Sequence, residues 1–450
     1  MTAQQRKPMK VGLMGIGTVG GGTFAVLARN QAEIRRRVGR GIDIAMVADL
    51  NTDRARELVG DTVQVVADAR DIIANPEIDV VVELIGGYGI ARTLVMDAIA
   101  AGKHVVTANK ALLAVHGTEI FAAARAKGVI VAFEAAVAGG IPIIKSLREG
   151  LTANRIDWVA GIINGTTNFI LSEMRDKGLD FAVVLKEAQR LGYAEADPTF
   201  DIEGVDAAHK ATLLSAIAFG VAVQFDKAHV EGISKLSATD IQYAEQLGYR
   251  IKLLGIARRQ MVDGKPVGIE LRTHPTLVPM RCLIANVEGA MNAVMVQGDA
   301  VGTTMYYGKG AGAEPTASAV VADLVDIARL LDATPEARVP SLAFQPDELS
   351  SLPILPIEEV VTAFYLRLRV ADQTGVLSQI TSILADQHIS IDAVIQREAD
   401  EVSGAGGGQT DLIILTHETR EGRMNQAIAK MQALSSVLAP IVRLRKEELA

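Results

Sequence analysis

The sequence predicts an α/β protein in three parts: a doubly wound parallel sheet, a central α+β unit, and a small C-terminal unit of ferredoxin-like order. Three observations carry this. Residues 10–134 alternate short apolar strands with helix-period segments. After Glu134 the rhythm changes to longer helices and scattered strands. Beyond a stretch holding Pro335, Pro340, Pro346, Pro353 and Pro356, the order is strand, helix, strand, strand, helix, strand. A chain of 450 residues also has room for three units at roughly 150 residues each.

In the first unit, 1–134, strands are expected at 11–14, 42–47, 63–66, 80–85, 104–107 and 129–133. Helices are expected at 20–37, 93–101 and 119–126. Continuously apolar strands need cover on both faces, and right-handed crossovers supply it. In the central unit, 135–307, the pattern gives helices at 181–191, 205–219 and 240–247, and strands at 158–163 and 267–272. A Gly-rich run beginning at Gly308 opens a helix over about 316–331, so 308–331 is expected to complete the first unit. The prolines make 332–360 a linker, since each fixes φ and removes a backbone donor. The last unit, 361–445, has strands at 364–370, 391–397, 411–416 and 441–444, helices at 376–387 and 422–434, and a Gly-rich loop at 404–408.

Composition excludes several function classes. The net charge is −8 and nothing concentrates basic residues, so a nucleic-acid partner is not expected. Cys282 is the single cysteine, which rules out an intrachain disulfide or a thiolate zinc cluster and fits a reducing compartment. Residues 1–10 are polar and no apolar run reaches the ~20 residues of a membrane span, so a cytoplasmic protein is expected.

Gly15-Ile16-Gly17-Thr18-Val19-Gly20 follows the first strand directly and opens a helix, the setting of a Rossmann-type dinucleotide loop. Gly15 permits the tight turn, Gly17 the approach of backbone to a pyrophosphate, and Gly20 close helix–strand packing. The second strand ends at Asp49, whose carboxylate suits the ribose hydroxyls of NAD and repels a 2′-phosphate. Arg54 and Arg56 follow and soften that repulsion, and capping of the next helix is the alternative role for Asp49. Lys110 lies just beyond the fifth strand, at the carboxyl edge where such sheets bind ligands. Asp206 and Lys210 share one face of a helix whose continuation, 211–219, is almost wholly apolar. A lysine paired in a buried place suits the handling of a proton or an anionic oxygen. His209 beside it is more simply a packed core histidine. Glu134 stands at a strand end before a small-residue turn, where it either caps a helix or joins carbonyls around a hard cation.

Taken together, these residues resemble homoserine dehydrogenases over Met9 to about Leu331. The resemblance rests on Gly15–Gly20, Thr107-Ala-Asn-Lys110, Glu134-Ala-Ala-Val-Ala-Gly-Gly-Ile-Pro142, Asn164-Gly-Thr-Thr-Asn168, Gly192-Tyr-Ala-Glu-Ala-Asp-Pro198 and Asp206–Lys210. From about Val361 the chain resembles ACT domains, with Asp372-Gln-Thr-Gly-Val-Leu377 as the ligand loop.

The resemblance implies NAD- or NADP-dependent interconversion of L-homoserine and L-aspartate 4-semialdehyde, on the route to threonine, methionine and isoleucine. It implies Lys210 as proton donor and acceptor, Asp206 beside it, and Lys110 near substrate and nicotinamide. Glu195, Asp201, Thr166 and Thr167 are then expected to contact homoserine, the acids holding its ammonium group. Cofactor contacts are expected from Gly15 to Gly20, Asp49, Lys110, Gly310 and Glu314. A sodium-like monovalent ion, structural in role, is implied at Glu134 and the backbone of Val137, Gly139 and Ile141. The ACT resemblance implies L-threonine as effector at Asp372 and Gly375, and a homodimer or homotetramer whose central unit also serves dimerisation. Ala48 stands where many relatives carry Arg before the Asp, so a preference for NADP does not follow.

Overall fold

The computed structural model describes residues 6–396 and 408–449. Its first sheet is wholly parallel: β1 (Met9–Met14), β2 (Ile42–Ala48), β3 (Gln64–Val66), β4 (Val80–Glu83), β5 (His104–Thr107) and β6 (Val131–Ala132), in the order β3-β2-β1-β4-β5-β6. Every residue of β4 and β5 is buried, as strands covered on both faces require. The chain order reverses between β1 and β4, which opens a crevice at their carboxyl ends. The helix expected over 20–37 is two, Thr18–Arg29 and Gln31–Val38, divided at Asn30, which leaves helical geometry (φ −105°, ψ 12°). The helix expected at 119–126 starts at Lys110, because the Asn109 side chain caps it by accepting from Leu112 N at 3.0 Å.

The helix Ala313–Leu330 returns to this sheet. Ala317, Val320, Leu324 and Ile327 join the core of β1, β2 and β4, and Gly22 lies so close that a Cβ there would meet Ala313 O at 2.6 Å.

The remaining strands form one larger sheet. They are β7 (Ile156–Ile162), β8 (His229–Val230), β9 (Tyr249–Val262), β10 (Lys265–Pro279), β11 (Met291–Gly298), β12 (Gly302–Lys309), β13 (Val361–Ala371), β14 (Ile391–Gln396), β15 (Gln409–Thr416), β16 (Thr419–Arg420) and β17 (Val442–Lys446). The order is β12-β11-β7-β9-β10-β17-β13-β15-β14, with β8 on β10 and β16 on β13. The last four strands of that path are antiparallel neighbours with two helices, Val376–Asp386 and Glu421–Gln432, between them in sequence, which is the expected ferredoxin-like arrangement. Arg397 and Gly404 to Gly407, at the end of an expected strand and in the expected Gly-rich loop, lie outside the described residues.

One feature departs from the expectation of a separate C-terminal unit. Strand β17 pairs in parallel with β10 (Thr276 opposite Arg445), so the last unit's sheet continues the central one. The linker takes part: Ile269 N donates to Pro353 O at 2.9 Å, and Ile354 bridges to Ile269. The open edge of β10 is thereby covered by Ile354, β8 and β17 in turn.

Candidate active site

Two turns and one buried helix assemble the central cluster. In the helix Val205–Phe219 every residue but Val205 and Lys210 is buried. Asp206 and Lys210, one turn apart, pair at 2.6 Å. Lys210 Nζ also donates to Ile163 O at 2.7 Å, at the end of β7. Asp206 holds a second cation, with Lys110 Nζ at 3.1 Å from its other oxygen. Lys110 stands at the start of its helix, beyond the carboxyl end of β5, so it reaches from the edge of the parallel sheet into the central unit.

Asn164 is the residue that sequence reasoning passed over. Its Nδ2 donates to Asp201 Oδ1 at 2.7 Å and to Asp206 Oδ2 at 2.8 Å. Its Oδ1 accepts from Thr167 N at 2.8 Å and from the Thr167 hydroxyl at 2.9 Å, which caps the helix Gly165–Lys177. The signal was an Asn directly before Gly-Thr-Thr, an N-cap pattern, in a helix that the sequence analysis did not expect. Thr166 donates to Tyr193 O at 2.8 Å, and Tyr193 stacks on Phe169 at 4.3 Å. The turn bearing Glu195 is thus held against the same helix.

The electrostatics divide the two lysines. Burial pulls Lys210 below the ordinary lysine range, with Asp206 opposing. Lys110 is also penalised by burial, but Asp206, Asp201 and Glu195 outweigh that and raise it. Asp206 is penalised by its own burial, yet Lys210 and Lys110 hold it well below the carboxylate range. The site therefore keeps one fixed cation, one fixed anion and one lysine that gives up its proton more readily. Among the described residues His209 has no hydrogen-bond partner on either ring nitrogen, and it sits 4.2 Å from the Phe225 ring; burial lowers it to about 4, as a packed neutral histidine requires.

On the nucleotide side, Gly15 adopts φ +96°, and a Cβ on Gly20 would lie 2.1 Å from Gly15 O. A Cβ on Gly17 would meet nothing within 4 Å, so the backbone there opens onto free space. Ile16 lies under the loop in the core, while Thr18 and Val19 form the first helical turn. Asp49 does not cap the helix after β2; Asn51 does, accepting from Arg54 N. Instead Asp49 accepts from Ile16 N at 2.9 Å and from Asn51 N at 2.8 Å, tying the end of β2 to the glycine loop. These features fit a dinucleotide on the helix N-terminus. Gly310 packs against Asn292, whose Nδ2 would lie 1.9 Å from a Cβ there, and Glu314 forms a bidentate pair with Arg29 on the surface.

Glu134 is buried and accepts from Ile144 N at 2.9 Å and from Lys145 N at 2.8 Å, so it does cap a helix start. Burial pushes it up to about 7. Among the described residues the Val137 and Gly139 carbonyls accept no hydrogen bond, while Ile141 O accepts from Ile143 N. Each Glu134 oxygen retains a lone pair, so the turn fits a monovalent ion held by one carboxylate and carbonyls. In the last unit, Gly375 takes φ +91° at the start of a helix with open space where a Cβ would stand, and Asp372 N donates to Gly408 O at 2.7 Å. The structure thus gathers Lys210, Asp206, Lys110, Asp201 and Thr167 around Asn164, and leaves Asp372 and Gly375 in another unit.

Comparison with known proteins agrees with this division. Residues 142–325 match the family described as homoserine dehydrogenase, 15–134 the homoserine dehydrogenase NAD binding domain, and 364–434 the ACT domain. A homoserine dehydrogenase of Pseudomonas aeruginosa is 62% identical over 443 residues, covering 98% of this chain and 100% of that one. That of Bacillus subtilis is 38% identical over 434 residues, covering 96% of each. The crystal structure of a homoserine dehydrogenase from Thiobacillus denitrificans superposes with a TM-score of 0.93 at 64% identity, covering 99% of this chain and 100% of that one.

Proposed function

The chain belongs to the homoserine dehydrogenase family, oxidoreductases with an NAD-binding domain and here an ACT domain, and from that premise we propose that Lys210 moves the proton in the interconversion of L-homoserine and L-aspartate 4-semialdehyde. One observation carries this reading. An ammonium has three N–H donors, and Lys210 spends one on Asp206 and one on Ile163 O, leaving one for a reacting oxygen.

The loop Gly15 to Gly20 would hold the dinucleotide, whose nicotinamide would supply or accept the hydride exchanged at C4 of the substrate. In oxidation, Lys210 as the free amine takes the hydroxyl proton; in reduction, its ammonium returns the proton to the aldehyde oxygen and stabilises the charge growing there. Lys110 stays cationic beside it and fixes the field in which Lys210 titrates. Asp206 orients both lysines. Asp201 and Glu195 hold the substrate ammonium, and Thr166 and Thr167 set the turn against which homoserine lies. Asn164 keeps Asp201 and Asp206 in register.

Gly15 to Gly20 and the Gly310 segment bind the dinucleotide, and with Asp49 and Ala48 as they stand NAD serves at least as well as NADP. Glu134 with the Val137, Gly139 and Ile141 carbonyls would hold a monovalent ion that ties the turn together. L-threonine binds at the Asp372–Gly375 loop and lowers activity, in a cytoplasmic homodimer or homotetramer supplying threonine, methionine and isoleucine. Among the described residues no helix is long and apolar enough to cross a membrane.

The test is absorbance at 340 nm on mixing the protein with L-homoserine and NAD or NADP. A homoserine-dependent rise is expected; no rise with either nucleotide would refute the reading. For regulation, L-threonine should slow the wild type and not Gly375→Val. Removing the whole last unit is a poor test, because it would strip β17 from β10 and leave the buried Arg272 without Glu447, its partner at 2.6 Å.

A further inference from the structure

The larger sheet places the last strand of the chain beside the segment that supports the substrate acids. β8 and β17 lie on the same edge of β10, opposite Arg272–Thr273 and Thr276–Leu277. Side by side there, Glu231 meets Arg445 through two contacts of 2.9 Å and Arg443 at 3.0 Å. Arg445 is 1% exposed and also binds Glu421 at the start of a helix of the last unit, with Nε donating to Oε2 at 2.7 Å. Glu231 therefore completes the pairing of an arginine that belongs to the ACT unit, although Glu231 itself lies in the central unit.

From Glu231 the contact runs on to the active-site turn through backbone. Glu231 N donates to Thr273 O and Ile233 N to Ile202 O, each at 2.8 Å. Between them Gly232 is pressed onto the next layer: a Cβ there would stand 2.4 Å from both Glu203 Cα and Ile202 O. Gly204 is also close, though less tightly, with Glu231 O at 3.1 Å from its Cβ position, and it forms the cap from which the helix carrying Asp206 starts. Asp201 lies in the short helix Thr199–Ile202 before this turn, and Asp206 in the first turn of the helix after it.

We propose that Glu231 is a positioning residue: through its pairing with Arg445 and Arg443 it lets the ACT unit set the placement of the Asp201–Asp206 turn, and so the binding of homoserine. The proposal rests on the assignment of Asp201 to the substrate ammonium. It also supplies a path by which an amino acid bound to the ACT unit would reach the substrate side without touching the nucleotide. Sheet continuity makes this direct, since β17 and β8 are strands on one edge and not bodies joined by a tether.

The experiment compares wild type, Glu231→Gln and Gly232→Ala in the full chain, reading KM for L-homoserine, KM for the nucleotide, kcat and melting temperature. Glu231→Gln removes the charge on the central-unit side of the joint, and Gly232→Ala shifts the turn without removing a charge from the arginine pairing. Both should raise homoserine KM about tenfold, within the ~100-fold that a misplacement on the ångström scale can cost, with nucleotide KM within about twofold of wild type. A lowered melting temperature with homoserine KM unchanged would make these residues merely structural and overturn the proposal, as would equal rises in both KM values. If Glu231→Gln does not fold, Arg443→Gln, which weakens the same pairing from the ACT side, decides by the same readings. Failure of wild type to oxidise homoserine would count against the functional reading itself, so the two failures are distinct.

Discussion

Replacing Lys210 by Ala removes the group proposed to move the proton, and the structure lets the consequences for folding and for turnover be separated. Asp206 would keep Lys110 at 3.1 Å and Asn164 at 2.8 Å, so it is not abandoned as an unpaired buried charge. The folding cost should then fall below the ~3–5 kcal/mol of a broken buried pair. Loss of the hydrogen bond to Ile163 O adds about 1 kcal/mol. Turnover should fall by about 10²–10⁴ for the lost acid and base, equivalent to roughly 2.7–5.5 kcal/mol in the barrier. The assay is the initial rate at 340 nm under saturating L-homoserine, beside calorimetric titration with the nucleotide. Near-native kcat in a variant that binds nucleotide normally would refute the assignment of Lys210.

Further outcomes follow from the same geometry. Glu195→Gln should weaken homoserine binding most, read as a raised KM with smaller change in kcat, since it removes a proposed partner of the substrate ammonium. NAD should give a kcat/KM at least equal to that with NADP; a strong preference for NADP would mean that Arg54 or another cation overrides Asp49, and Asp49→Ala would then change little. Burial, aided by the Arg338 charge, drops His104 from 6.5 to about 4, and its Nδ1 accepts from Ile130 N at 2.9 Å. The unfolded chain therefore binds the extra proton first, so stability should be lost as pH falls from about 6.5 towards 4, by on the order of 3 kcal/mol at the acid end. Thermal melts of wild type and His104→Asn across that range should differ in slope; identical slopes would show that His104 carries none of the loss.

Much of this was legible because the relevant physics is local. The glycine loop announces itself by its place between strand and helix, and Asp206 with Lys210 by four-residue spacing ahead of an apolar run. The central sheet was harder. Strand β10 runs over fifteen residues and buries Glu270, Arg272 and His274 on alternate positions. A pattern of charge that ordinarily marks a solvated face was here a network satisfied by Glu447, so only 267–272 was expected as strand. The helix Gly165–Lys177 was hidden for another reason: its start, Gly-Thr-Thr, has poor helix propensity, and the cap that compensates is a side chain whose importance lies in distant partners. Asn164 joins Asp201 and Asp206, 37 and 42 residues away, a relation that no periodicity carries. The joining of β17 to β10 is likewise long-range, and prolines that mark a linker say nothing about where the chain beyond it docks.

The central claim is that Lys210, lowered by burial, carries the proton while Lys110, raised by its three acids, stays charged. The pH dependence of kcat for homoserine oxidation, followed at 340 nm, tests it most directly. The account predicts a rate that rises with pH through an ionisation below the ordinary lysine value of 10.5 and then levels, because Lys210 must lose its proton to act as base. A rate independent of pH, or one still rising above that value, would contradict it.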